Sequence, residues 1–365
     1  MKIEIIDLRK RFQEEKYEIL KCINRVLKKG NLILTSEVQN FEKSICKFTG
    51  SKYCLGLNSG TDALMMSLWS SSISKGDEVI TSPISFIASA SSIIHVGAKP
   101  VFVDVNDDLN INPDLIEQAI TKKTKAIMPV HWTGRVCKMD KIVKIAKKYN
   151  LIVIEDSAQA MGAYYKKKHA GTFGKISAFS THPLKNLNAL GDGGFIITNE
   201  KKLYNKIKLY RSHGLKGRDN VEIIGVNSRL DSLHAEILNF RLKRLKNIIS
   251  RRQKNINLYK KLINTKKVRI IEDKKIENNA YVMFITLCEK RNDLQKYLKK
   301  FNIQSLIYYG TPLHLHKATK FLSYKKGSFP NAEKFSKKVL SFPYHQHLKK
   351  KEIEYVCKKI NTFYN

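Results

Sequence analysis

No two cysteines in this chain stand at the spacing of a metal clip. The six (Cys22, Cys46, Cys54, Cys137, Cys288, Cys357) are scattered, with no Cys-x-x-Cys pair. That argues against a zinc knot and a disulfide framework, and suits a reducing compartment such as the cytoplasm. His345 and His347 flank Gln346 near Phe342 and Pro343, but no third ligand is spaced with them, so they read as loop residues. Long apolar runs are missing as well. The longest uncharged stretch, 79–98, carries five serines, a proline and a histidine. It is too polar to span a bilayer and reads as a Ser-Pro loop leading into a buried helix. The first residues, Met-Lys-Ile-Glu-Ile-Ile-Asp, alternate charge and lack the apolar centre of a signal peptide. Repeats and low-complexity linkers are absent too.

Acidic residues are scarce: 32 Asp and Glu face 67 Lys and Arg, a net charge of +35. Such a balance first raises the question of nucleic acid. The basic residues, however, are spread along the chain. Their clusters, 166–168, 241–254 and 349–351, read as a hairpin turn and exposed helix faces. No helix-turn-helix, zinc or RNA-binding signature accompanies them. The expectation is a solvated lysine-rich surface with no specific nucleic-acid partner and no membrane insertion. Its positive field would favour encounter with small anionic substrates.

What is present is a regular alternation. With 365 residues and 42% hydrophobic content, the chain can bury one large and one smaller core. From residue 50 to about 240, apolar strands alternate with helical stretches, the βαβ pattern of a mainly parallel sheet. Ahead of it, 17–27 predicts a helix closed by Gly30, and Ser36 with Gln39 reads as a capping box. A long helix is predicted from Asp231 to about Ile263, a strand over 281–288, and helices over 293–301 and 349–362. The division expected is a large domain, 1–245, with an N-terminal helical arm, and a small α+β domain, 246–365.

Three connections in this pattern carry chemistry. Asn58-Ser59-Gly60-Thr61-Asp62 joins a strand to a helix, where glycine permits close approach and free backbone N–H groups favour an anion. Leu-Ile-Val-Ile-Glu, 151–155, reads as a buried strand that leaves Asp156 at its carboxyl end, the edge where α/β sheets bind ligands. A buried carboxylate there needs a cationic or hydrogen-bonding partner, unless Asp156 simply caps a following helix. Lys185 lies between a strand, 176–180, and the turn Gly191-Asp192-Gly193-Gly194. A lysine held there can be desolvated and made nucleophilic, or it can be a solvated loop lysine.

In this order, Ser59-Gly60-Thr61-Asp62-Ala63-Leu64, Glu155-Asp156-Ser157-Ala158-Gln159-Ala160 and His182-Pro183-Leu184-Lys185-Asn186-Leu187 with Gly191-Asp192-Gly193-Gly194 resemble the DegT/DnrJ/EryC1/StrS family. Ser85-Phe86, Pro129 to Gly134, Arg211 to Gly214, Gly225 to Asp231, Tyr308-Tyr309, Pro312-Leu313-His314 and Phe342-Pro343 extend the resemblance over nearly the whole chain. It implies a type I aminotransferase fold: a mainly parallel central sheet flanked by helices, plus a smaller C-terminal α+β domain. It also implies a cytoplasmic enzyme that uses pyridoxal 5'-phosphate (PLP) to aminate a nucleotide-linked keto-sugar, with glutamate as donor, in lipopolysaccharide or surface-polysaccharide biosynthesis.

By the resemblance, Lys185 is the Schiff-base lysine and proton shuttle, and Asp156 holds the pyridine nitrogen protonated. Gln159 contacts the cofactor, Phe86 stacks on its ring, and Gly60, Thr61 and Ser180 bind its phosphate. Asn227 reaches the phosphate in the other subunit, which implies a homodimer with shared sites. His182, Tyr308, Tyr309 and His314 are the expected substrate contacts. Family members that act as dehydratases replace the lysine by histidine, so Lys185 argues for amination; a non-catalytic regulator is the remaining alternative. The run Asn186 to Gly194 leans toward members that aminate C3 of dTDP-linked 3-keto-6-deoxyhexoses, since Gly-Glu-Gly-Gly is common in those aminating C4. His182-Pro183-Leu184 departs from the Tyr-Pro-Gly often seen in the C3 group. C4 amination of a UDP-, dTDP- or GDP-4-keto-6-deoxy sugar stays open.

Overall fold

A computed structural model describes residues 2–365. The chain opens with two helices, α1 (Leu8–Leu27) and α2 (Ser36–Thr49). The helix α1 begins nine residues before the predicted one, because the Asp7 carboxylate accepts the Lys10 N–H at 2.8 Å and caps it. The predicted capping box at Ser36 is not formed. Thr35 holds the N-cap position, and its hydroxyl bonds Glu37 and Ser232 instead.

Then follow β1 (Tyr53–Leu57), α3 (Gly60–Ser70), β2 (Glu78–Thr81), α4 (Ala88–His95), β3 (Lys99–Phe102), β4 (Thr124–Ile127), α5 (Met139–Lys148) and β5 (Ile152–Asp156). A short hairpin, β6 (Tyr164–Tyr165) and β7 (Lys168–His169), turns at Lys166 and Lys167. After it come β8 (Ile176–Ser180), β9 (Gly194–Thr198), α6 (Lys201–Tyr210) and the 31-residue α7 (Ser232–Leu262). The last part holds β10 (Val268–Ile270), β11 (Glu277–Asn278), β12 (Ile285–Cys288), α8 (Arg291–Lys300), α9 (Pro330–Ser336), β13 (Val339–Ser341) and α10 (Lys350–Tyr364).

The central sheet has seven strands in the order β1-β9-β8-β5-β4-β2-β3. Only β9 runs against the others. Its strands are nearly uniformly apolar because helices cover both faces. The helix α5 turns Ile142 and Ala146 inward and its lysines outward, whereas α3 is buried on most sides through Ala63, Leu64, Met66 and Leu68. Since β1, β8 and β5 run parallel, their carboxyl ends meet at one edge, next to the start of β9.

A smaller antiparallel sheet, β10-β12-β13, packs with α8 and α10. The helix α7 runs across residues 245 and 246: Leu238, Leu242 and Leu245 pack under the central sheet, and Ile256 and Tyr259 pack in the core of the smaller sheet. Ile3 and Ile5 also lie in that second core, and Ile3 pairs with Ile303. The predicted strand over 281–288 begins only at Ile285. Tyr281 adopts a positive φ of 47° and its carbonyl is taken by Arg252, which withdraws the segment 281–284 from the ladder. Among the described residues, no helix is long and apolar enough to cross a membrane.

Candidate active site

The three chemical connections meet at the shared strand edge. They wall a cavity of about 400 Å³ with residues from the loop before α4, from the segment 281–284, and from Tyr308, Tyr309 and Tyr344.

At the end of β5 stands Asp156, buried. No helix follows it; its Oδ1 accepts the Ala158 N–H at 3.1 Å in a turn, so the helix-cap alternative does not apply. Its Oδ2 accepts the Ser89 hydroxyl at 2.6 Å, and Ser85 Oγ lies 2.7 Å from Ser89 Oγ. Burial raises its pKa, while Ser89, the Ala158 amide and the Lys185 charge pull it back. Among the described residues, no basic side chain lies within 4 Å of this carboxylate. It is a buried carboxyl group held by two donors and open to a cation from the cavity.

Lys185 follows β8 by five residues, and its backbone N–H donates to the His182 carbonyl at 2.8 Å. Its Nζ donates to Gln159 Oε1 at 3.2 Å. Burial lowers this amine to about 8, with Asp156 opposing the shift. At neutral pH a useful fraction is therefore the free base.

At the start of α3, Ser59 caps the helix by accepting the Asp62 N–H at 3.0 Å. Gly60 sits so close to β8 that a Cβ there would meet Ser180 Cβ at 2.7 Å. A Cβ on Gly194 would meet the Ser59 carbonyl oxygen at 2.4 Å. The two glycines let the helix end, β8 and β9 converge, which leaves backbone N–H groups and the Thr61 and Ser180 hydroxyls beside the cavity. Phe86 lies at its mouth, more than half exposed, with its ring 5.9 Å from that of Tyr309.

These groups fit PLP: an anion cup at a helix start, a buried carboxylate awaiting a cation, a desolvated amine and an exposed aromatic face. Gly60, Thr61, Phe86, Asp156, Gln159, Ser180, His182, Lys185, Tyr308 and Tyr309 are brought together. Two predicted residues are not. His314 does not line the cavity; it is sealed against Phe329, with its Nε2 3.1 Å from Glu333 Oε1 of α9. Asn227 lies on an exposed loop, where its Oδ1 accepts the Arg229 Nε–H at 3.0 Å. Sequence reasoning missed Ser89, Asp192, Met283 and Tyr344 at the cavity. For Ser89 a trace exists, the Ser85-x-x-x-Ser89 spacing across a helix start.

A family model described as the DegT/DnrJ/EryC1/StrS aminotransferase family matches residues 13–361. A pleiotropic regulatory protein of Geobacillus stearothermophilus is 38% identical over 368 residues, covering 100% of this chain and 99% of the relative. A dTDP-3-amino-3,6-dideoxy-alpha-D-galactopyranose transaminase of Aneurinibacillus thermoaerophilus is 39% identical over 363 residues, covering 99% of each. The crystal structure of S. venezuelae DesV in complex with a ketimine intermediate superposes with a TM-score of 0.96 at 32% identity, covering 99% of this chain and 98% of that one. The fold is that of the type I PLP-dependent aminotransferases. The chain belongs to the DegT/DnrJ/EryC1/StrS aminotransferase family.

Proposed function

We propose that this enzyme transfers the amino group of glutamate to C3 of a dTDP-linked 3-keto-6-deoxyhexose. The coarser statement rests on the family: it is a PLP-dependent aminotransferase of nucleotide sugars. The observation that carries the chemistry is one cavity holding both a lysine amine lowered to about 8 and a buried carboxylate without a basic side chain beside it.

When bound, PLP supplies a carbonyl that accepts the amino group and a cationic ring that draws electrons from the bond being broken. Asp156 keeps the ring nitrogen protonated, and Ser89 and the Ala158 amide fix the carboxylate's direction. The freed amine of Lys185 takes a proton from one carbon and returns it to another, held in place by Gln159. Gly60, Thr61 and Ser180 hold the phosphate, and Phe86 covers the ring. His182, whose basicity burial and Lys185 both lower, stands with Tyr308 and Tyr309 on the sugar side. Asn227 serves the phosphate of a second subunit in a homodimer.

Support for C3 is the Gly-Asp-Gly-Gly turn at 191–194 and the full-length likeness to a transaminase named for a 3-amino sugar. The product would enter a surface polysaccharide. Incubating the enzyme with glutamate and a panel of nucleotide-linked 3-keto and 4-keto sugars, read by mass spectrometry, tests this: amination of the 4-keto sugars alone would overturn C3. A regulatory role is favoured by the names of relatives alone, one a pleiotropic regulatory protein and one a sensory transduction protein. Lys185→Ala separates the two readings, since it should abolish turnover without lowering the melting temperature; normal turnover in this variant would sink Lys185 as the reacting amine.

A further inference from the structure

A buried arginine stands behind the catalytic lysine. Arg252 of α7 is 1% exposed. Among the described residues, no carboxylate lies within 4 Å of its guanidinium. An isolated buried cation is costly, and an apolar side chain of similar volume would pack there more cheaply. Arg252 does something a methionine cannot: it collects acceptors from three separate segments. Its Nη1 donates to Asn186 Oδ1 and, at 3.2 Å, to the Tyr281 carbonyl; its Nε donates to Gln346 Oε1 at 3.1 Å.

Each segment continues into the cavity wall. Asn186 follows Lys185 directly, and its Nδ2 donates to the Ala280 carbonyl, so both ends of its amide are held. Tyr281 leads into Val282 and Met283, and Gln346 lies two residues past Tyr344; those three line the cavity. The guanidinium also lies 5.3 Å from the centre of the Tyr344 ring, whose face offers partial compensation for the charge.

We propose that Arg252 is a positioning residue for Lys185, acting through Asn186 and the segments 281–283 and 344–346 to hold the amine in the cavity wall. Arg252 itself does not line the cavity. Burial pulls its basicity down, yet guanidinium remains charged at neutral pH, so its hydrogen-bond fork is always available. Loss of this tie frees the Lys185 backbone, and the side chain swings toward water or toward Asp156. Either movement favours the ammonium and raises the pH at which the amine becomes a base.

The proposal rests on Lys185 being the reacting amine, but its test does not use turnover alone. In the full-length chain stripped of PLP, competitive acylation across pH 6–11, read by peptide mass spectrometry, gives the titration midpoint of Lys185, with exposed Lys122 as reference. The wild-type midpoint is expected near 8. In Arg252→Met it should rise by about one pH unit or more, with kcat at least about tenfold lower and KM within about threefold. Arg252→Lys, which regains one acceptor, should fall between. A purely structural role would lower the melting temperature and leave the midpoint in place, and that result overturns the proposal. If Arg252→Met does not fold, Asn186→Ala cuts the same link, and an unmoved midpoint there counts equally against it. A failed Lys185→Ala prediction would instead strike at the assignment of the reacting amine.

Discussion

At the scale of single residues, the site works by setting two ionisable groups against their surroundings. Desolvation lowers Lys185 and raises Asp156, and each moderates the other. The sign of the lysine shift sets a pH dependence. Its protonated form dominates below about 8, so the rate at which amino-loaded enzyme converts a keto-sugar should rise with pH through about 8 and level above it. Stopped-flow single turnovers between pH 6 and 9.5 check this; a flat profile would remove Lys185 as the base. For Asp156 the expected loss is larger. Asp156→Asn cannot balance a ring cation, and kcat should fall at least about a hundredfold, the equivalent of ~3 kcal/mol for a broken buried pair. Wild-type rates in that variant would reduce Asp156 to a turn former.

At the scale of elements, the proposed phosphate cup depends on how closely α3, β8 and β9 approach. Gly60 and Gly194 are the contact points. In Gly60→Ala the new methyl must push Ser180 by several tenths of an ångström, since Cβ atoms 2.7 Å apart overlap. The cup then opens and the helix end turns from the anion. We expect PLP to dissociate at least about tenfold more readily, measured by loss of absorbance on dilution. Unchanged retention would mean that the backbone N–H groups at this helix start do not hold the phosphate. Much of this was legible beforehand. The runs at 53–57, 151–155 and 176–180 marked the strands that form as β1, β5 and β8, and Gly60, Asp156 and Lys185 each stood at or soon after the end of one. Boundaries were less legible where a distant group intervened, as at Thr35 with Ser232 and Tyr281 with Arg252.

At the scale of the molecule, the loop from 213 to 229 presents Val221, Ile224 and Val226 to solvent near Asn227, and Phe12, Tyr17 and Leu20 stand exposed on α1. An apolar surface of this kind supports a second copy of the chain. If Asn227 completes the partner's phosphate cup, two inactive variants should rescue each other. Lys185→Ala and Asn227→Glu, unfolded and refolded together, should recover up to about a quarter of wild-type activity, because half of the random dimers are mixed and each mixed dimer has one intact site. No recovery despite proven heterodimers would confine Asn227 to its own chain or to no site.

Strand and helix order, the parallel sheet and the three chemical loops were readable in the chain, because apolar periodicity and glycine placement are local properties. Contacts across long stretches of chain were not. Ser89 meets Asp156 from 67 residues away, and Arg252 meets Asn186 from 66. Neither carries a mark of its partner, since a serine on a helix and an arginine in a basic helix look like many others. His314 shows the converse: its loop sits close to the cavity, yet Glu333 and Phe329 turn the ring into the protein. Which side chains face the cavity depends on how α7 and the small sheet dock against the large one, and that docking is settled by packing of the whole molecule.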